Sequence, residues 1–275
     1  MRRAKFFVIV LALIGAFYPW SNVYSAGDTK NVSPVIDRIL SKKELVVGTA
    51  ASMPPLNMMT KDGRIIGIEA DLAGLLARGM EVKLTLRQMK FDELIPALLA
   101  GKVDMVLSNM TMTPARNVRV AFAGPYFHSG KSILVKTANV LSLDTMTKLN
   151  SPVNVLVALK GSTSELFVRK LIPDAKLELV QDYDQAVNMV KNDKAQAMIA
   201  DLPICQVSVF RYPDAKLVTL DKPLSYEPIG VALPPGDPLL VNMVENTLRL
   251  IEKTGDLETL IQKWLKDTSW VAELQ

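Results

Sequence analysis

Apolar residues along this chain come in short runs, separated by stretches with helical spacing. Leu45-Val46-Val47-Gly48 reads as a strand, and Met53-Pro54-Pro55 cannot continue it, because proline has no ladder donor. Glu69 to Gly79 sets Leu72, Leu75 and Leu76 on one face, which predicts an amphipathic helix. Val82 to Leu86 alternates as a strand. Asp92 is placed to cap a helix carrying Leu94, Ile95, Leu98 and Leu99, with Gly101 as its stop. Val103 to Leu107 predicts the next strand, and 131–135 (Lys-Ser-Ile-Leu-Val) another.

A second series then begins. Strands are predicted over 153–158, 177–180, 197–200, 217–220 and 229–233. Ser162-Thr163-Ser164-Glu165 is a capping box that opens a helix with Leu166, Phe167 and Leu171. Residues 184–192 are helical. After Pro234-Pro235-Gly236-Asp237-Pro238 the pattern is helical again, over 239–253 and 257–265. Alternating strands and helices predict an α/β protein with mainly parallel sheets flanked by helices. Two series and a helical return predict two lobes with a cleft between them, a common setting for a small-molecule site.

The N-terminus changes the charge picture. Arg2, Arg3 and Lys5 precede an apolar run from Phe6 to Phe17, so residues 1–25 read as a cleaved secretory signal peptide. Its removal takes the formal charge from +4 to +1 and removes Phe6, Phe7, Phe17, Tyr18, Trp20 and Tyr24. A near-neutral mature chain gives no electrostatic case for nucleic acid or an anionic membrane. The chain has one cysteine, Cys205, and one histidine, His128, which excludes a disulfide framework and multi-His or cysteine-rich metal centres. Cys205 lies far from the cleavage site, so no lipid anchor is expected. The expectation is a soluble, monomeric periplasmic protein with no metal and no cofactor.

Candidate chemistry clusters where strands end. Residues 108–119 follow a strand, the end at which ligands lie in open α/β sheets. Thr113 and Pro114 suit the cap and first position of a short helix, with Arg116 in its first turn near Thr111. A guanidinium there either grips a carboxylate with paired hydrogen bonds or stands at the surface. Lys160-Gly161-Ser162-Thr163 enters a helix and offers either backbone N–H groups to an anion or a plain cap. Asp201 follows a strand and either holds an ammonium or forms a turn. Phe91 faces either the cleft or the core. Together these give one group for a carboxylate and one for an amine, the complement of an α-amino acid. Nothing comparable supports catalysis: His128 reads as a partly exposed loop residue and Cys205 as a buried small side chain.

At this point the chain resembles a known family. Gly67-Ile68-Glu69-Ala70-Asp71-Leu72-Ala73, Phe91-Asp92-Glu93-Leu94-Ile95-Pro96-Ala97-Leu98, Thr111-Met112-Thr113-Pro114-Ala115-Arg116 and Gly124-Pro125-Tyr126-Phe127 resemble, in order, blocks of the family 3 extracellular solute-binding proteins. These are the amino-acid-binding components of ABC importers. The resemblance covers roughly residues 38–267. It implies a clamshell of the type II kind, with lobe 1 at 26–135 plus 229–275, lobe 2 at 136–228, and two hinge strands.

It further implies that Arg116 and the Thr111 backbone bind the ligand carboxylate, helped by Ser162 and Thr163. Asp201 would bind the amine, Asn109 would offer its carbonyl, and Phe91 and Met53 would pack on the ligand. Hinge closure would then present the loaded protein to an ABC permease. Aromatic residues common in the family are replaced by Met53 and Leu56, and an acid by Ala50, which argues against a cationic ligand side chain. Two alternatives stand beside the importer reading: a cyclohexadienyl dehydratase on the same scaffold, for which no general acid stands out since Glu165 reads as a capping residue, and a soluble sensor that presents ligand to a membrane receptor.

Overall fold

A computed structural model describes residues 33–142 and 146–274; the expected signal peptide, 1–25, lies outside them. Helix α1 (Pro34–Lys42) leads into strand β1 (Glu44–Thr49). Leu45 and Val47 of β1 are wholly buried and Val46 nearly so, as a continuous apolar run in a central strand requires. Strands β2 (Ser52–Met53), β3 (Asn57–Met59) and β4 (Ile65–Ile66) form a small antiparallel sheet of their own. Helix α2 (Ile68–Gly79) then returns the chain to β5 (Lys83–Gln88), parallel to β1. A turn over Phe91–Glu93 and helix α3 (Leu94–Leu99) lead to β6 (Met105–Val106), parallel to β1 on its other side. Helix α4 (Pro114–Asn117) and strand β7 (Ala121–Ser129) follow.

The chain then changes sheet. Strand β8 (Lys131–Lys136) precedes helix α5 (Met146–Leu149), β9 (Val155–Leu159), α6 (Thr163–Leu171), β10 (Lys176–Val180), α7 (Tyr183–Lys191), β11 (Ala197–Asp201), α8 (Leu202–Arg211) and β12 (Leu217–Thr219). Strand β13 (Glu227–Leu233) returns to the first sheet, and helices α9 (Pro238–Thr254) and α10 (Asp256–Lys266) pack on it. The first sheet has the order β5-β1-β6-β13-β7 and the second β10-β9-β11-β8-β12.

Each sheet is mixed, not mainly parallel. Helical crossovers make β5, β1 and β6 parallel, and likewise β10, β9 and β11. The strand by which the chain enters each sheet from the other runs the opposite way, so β13 pairs antiparallel with β6 and β7, and β8 with β11 and β12. Only Gly130 separates β7 from β8. The passage between sheets therefore falls at Gly130, whereas the expected boundary after 135 left β8 with the first lobe.

Three local expectations change. Residues 121–129, over which no strand was expected, form one, and β13 shifts register against it between Ile229 and Val231. His128 is thus a strand residue rather than a loop residue, exposed and stacked on Tyr226 at 5.3 Å. Asp92 makes no cap, because the turn before α3 is already helical; it pairs with Lys160 at 2.9 Å instead. Ser162 and Thr113 do cap their helices, accepting from Glu165 N at 3.2 Å and Arg116 N at 3.3 Å.

Two cores result. Val47, Leu72, Leu76, Val231, Leu240 and Val244 lie between the first sheet and helices α2 and α9. A second cluster runs from Met53, Phe91 and Leu94 of the first half to Leu159, Tyr183 and Met198 of the second, so apolar side chains of both sheets meet at one place.

Candidate functional site

Arg116 owes its position to the Thr113-Pro114 start of α4. The cap turns the chain back, and Nη1 donates to the Thr111 carbonyl at 2.9 Å while Nη2 donates to the Gly161 carbonyl at 3.1 Å. The guanidinium sits 5.4 Å from the centre of the Phe91 ring. Among the described residues no carboxylate oxygen pairs with it directly. Burial pushes its pKa down to about 10, against the pull of the nearby Glu227 and Asp201 carboxylates. It is therefore cationic at neutral pH, and it bonds only to neutral acceptors.

Asn109 stands at the end of the segment after β6 with φ of 48°, a left-handed backbone that asparagine tolerates better than most residues. The buried Glu69 carboxylate holds it there, accepting its backbone N–H at 2.6 Å. The Tyr126 hydroxyl and Asn57 Nδ2 also donate to Glu69. Burial raises the Glu69 pKa, while these hydrogen bonds oppose the rise.

Asp201 ends β11 and is buried. Its Oδ2 accepts Asn109 Nδ2 at 2.5 Å, and its Oδ1 is paired with the ammonium of Lys131. Lys131 and Asp201 are direct cross-strand partners in the β8–β11 ladder, and the lysine is only 2% exposed. Glu227 Oε1 lies 3.7 Å from the same ammonium. Glu227 Oε2 accepts the Thr163 hydroxyl at 3.1 Å, and the Thr163 and Thr111 hydroxyls meet at 3.3 Å across the two sheets. Ser162 turns its hydroxyl to the Leu159 carbonyl at 2.6 Å. Glu165 is occupied with its own helix, accepting Gly161 N and Arg169 Nε, each at 2.8 Å.

Met53, Phe91, Asn109, Thr111, Ser162, Thr163 and Asp201, all expected at the site, line one enclosed space together with Lys131, Leu159 and Tyr183. Arg116, also expected at the site, does not line this space itself; it lies beside it, bonded to the carbonyl of the lining residue Thr111. The volume is about 10 Å³, room for about one water molecule, so a larger molecule needs the two sheets to separate. Leu56, expected at the pocket, lies instead in the α2 core and is fully buried. A crevice of about 660 Å³ opens next to the enclosed space, between Ser52, Pro54, Lys90, Asp182 and Arg211.

Lys131, Glu227, Tyr183 and Glu69 were not expected at or beneath the site. Lys131 heads an otherwise apolar strand, which is a usable signal for a charge aimed at a partner. Its meeting with Asp201 depends on strand order and register, which a pattern of residues does not contain. No helix among the described residues is long and apolar enough to cross a membrane.

Comparison with known proteins places this arrangement. The family described as bacterial extracellular solute-binding proteins, family 3, matches residues 45–267. The ABC transporter glutamine-binding protein GlnH of Bacillus subtilis is 27% identical, over 95% of this chain and 94% of its own length. A solved binding component of an ABC transporter from Wolinella succinogenes, complexed with lysine, is 36% identical with a TM-score of 0.79, covering 84% of this chain and 99% of its own. The ancestral amino-acid-binding protein AncCDT-1, a precursor of cyclohexadienyl dehydratase, is 34% identical with a TM-score of 0.77, covering 83% of this chain and 98% of its own.

Proposed function

Because this chain belongs to the bacterial extracellular solute-binding proteins of family 3, we propose that it is the solute-capturing component of an ABC importer. It closes two lobes on an amino acid or a related small carboxylate. The carrying observation is Arg116, a cationic guanidinium in the cleft that bonds only to backbone carbonyls. An incoming carboxylate offers it two hydrogen bonds in which both partners are charged, in place of bonds to neutral carbonyls. Phe91 and Met53 supply the apolar wall, and Thr163 reaches the site from the second sheet.

The sheet pairing supports lobes of about 33–129 plus 227–274 and 131–219, joined at Gly130 and before β13. Closure brings Arg116 against the Gly161 carbonyl and Thr111 against Thr163, so the ligand carboxylate lies where the lobes meet. The closed form would dock on membrane subunits of the importer. The protein works as a monomer in the periplasm, after loss of residues 1–25. The names of the curated relatives support this reading over an enzyme, and Glu165, bound to Arg169 and Gly161 N, is not aimed into the cleft as an acid.

Titration calorimetry over amino acids and small carboxylates tests the reading. Arg116→Ala should weaken the best ligand roughly a hundredfold, the loss of paired charge-assisted bonds. Unchanged affinity would remove Arg116 from carboxylate recognition.

A further inference from the structure

The carboxylate that stands ready for a ligand ammonium already has an ammonium. Lys131 and Asp201 face each other on neighbouring strands of one sheet, so lobe opening does not separate them. The second Asp201 oxygen is taken by Asn109 Nδ2. Around this pair the hydrogen-bonding capacity is uneven. A lysine ammonium has three N–H donors, and among the described residues Lys131 spends one, on Asp201. Glu227 is its Coulombic neighbour at 3.7 Å, beyond hydrogen-bond reach. Asn109 is 5% exposed, and its Oδ1 has no partner. Both residues bind the two oxygens of one carboxylate, and both line the same enclosed space.

Unused donors on Lys131 and an unused acceptor on Asn109 therefore belong to two residues that line the same space. A hydroxyl satisfies both at once: its oxygen accepts from Lys131 and its proton goes to Asn109 Oδ1. A ligand ammonium satisfies only Asn109 and sets a second positive charge beside Lys131. Arg116 and Lys131 balance Asp201 and Glu227 in charge, so Asp201 is not left in want of a cation.

Resting on the reading that Arg116 takes a carboxylate, we propose that the physiological ligand is a small 2-hydroxy acid. Lys131 is the residue that selects it over the matching amino acid. Lys131 occupies the place of the amine, and the ligand brings a hydroxyl to it.

The test uses matched sets with the mature protein: alanine, lactate and pyruvate; leucine, 2-hydroxy-4-methylpentanoate and its 2-oxo acid; phenylalanine, phenyllactate and phenylpyruvate; glutamate and 2-hydroxyglutarate. Calorimetry should show the 2-hydroxy acid of the best-binding set at least about tenfold tighter than its amino acid. Lys131→Gln frees Asp201 for an ammonium and should move that ratio toward the amino acid by about tenfold or more. Wild-type preference for the amino acid overturns the inference and leaves the carboxylate reading intact, as does a ratio unmoved by Lys131→Gln. Amino-acid binding abolished by Glu227→Gln would likewise overturn it, placing the ligand ammonium at Glu227. Binding by no member of any set overturns the carboxylate reading itself. If Lys131→Gln does not fold, the wild-type ratio decides alone.

Discussion

The Glu69 carboxylate accepts the backbone N–H of Asn109 at 2.6 Å, across a separation of 40 residues. A buried acid in the first turn of α2 thus sets the left-handed backbone of a residue that touches Asp201. Glu69→Ala would leave the Asn109 N–H, the Tyr126 hydroxyl and Asn57 Nδ2 buried without their acceptor. Each orphaned donor costs about 1–3 kcal/mol, so a total loss above ~3 kcal/mol is expected in urea denaturation. Affinity for the cognate ligand should fall too, because Asn109 loses its tether. A variant as stable as wild type would show that water replaces the carboxylate.

Asp237 does a comparable job away from the cleft. It caps α9 by accepting Leu240 N at 3.0 Å, and it also takes the Ser33 hydroxyl at 2.6 Å and Val35 N at 3.0 Å. One side chain therefore starts two helices that adjoin in space. Asp237→Ala should cost ~2–3 kcal/mol, a cap plus buried donors, with ligand affinity unchanged. Asp237→Asn keeps one acceptor oxygen and should recover part of the loss, which a urea titration of both variants would resolve.

These contacts differ in how far the chain's pattern reveals them. Arg116 was legible because much of its setting is local: Thr111, the Thr113-Pro114 start and the guanidinium lie within residues 111–116. The β-α alternation was legible for the same reason, since periodicity is a property of neighbouring residues. Strand β7 was not read, because Gly124-Pro125 interrupts its apolar run, and the register shift in β13 that absorbs the interruption lies far along the chain. Glu69 was read only as the start of a helix, yet it is 1% exposed, because its partners arrive from β7 and from the segment after β6. The Lys131–Asp201 pair was the least legible, its members 70 positions apart with only strand order to join them.

Cys205 is fully buried in α8, and burial pushes its thiol up to about 12. The thiolate is the reactive form, so iodoacetamide should leave the native protein unlabelled and modify it fully in guanidinium. Labelling at the rate of a free thiol under native conditions would mean that α8 opens locally.

The same burial predicts alkaline sensitivity. Cys205, Tyr126 and Tyr183 all have folded-state pKa values raised, chiefly by desolvation. A group whose folded pKa lies above its unfolded one keeps its full contribution below the unfolded value. It loses that contribution as pH rises toward the folded value. The urea midpoint should therefore hold between about pH 7 and about pH 9 and decline steadily above it. Cys205→Ala should flatten part of that decline. A midpoint flat to about pH 11 would contradict the burial of these groups.

Gly161 is one of the points at which the lobes touch beside the ligand's expected position. Its φ is 76°, and a Cβ there would stand 3.0 Å from Asp92 Cβ in the turn that carries Phe91. Its carbonyl accepts Arg116 Nη2. Gly161→Ala adds backbone strain of ~1–2 kcal/mol, felt in both open and closed forms. The clash with Asp92, by contrast, exists only when the lobes are closed. Neither Asp92 Cβ nor Asp92 Cα, at 3.3 Å, is the end of a flexible side chain, so the turn at Asp92 must give by a few tenths of an ångström for the lobes to close fully. Ligand affinity should therefore fall by more than about tenfold, while the unfolding free energy falls by only ~1–2 kcal/mol. Small-angle scattering with saturating ligand should show a larger radius of gyration than wild type. Lys160→Ala serves as the comparison: it removes the exposed Lys160–Asp92 pair, worth ~0–1 kcal/mol, without adding a clash. If Gly161→Ala bound ligand as wild type does, the Gly161–Asp92 approach would not belong to the liganded form.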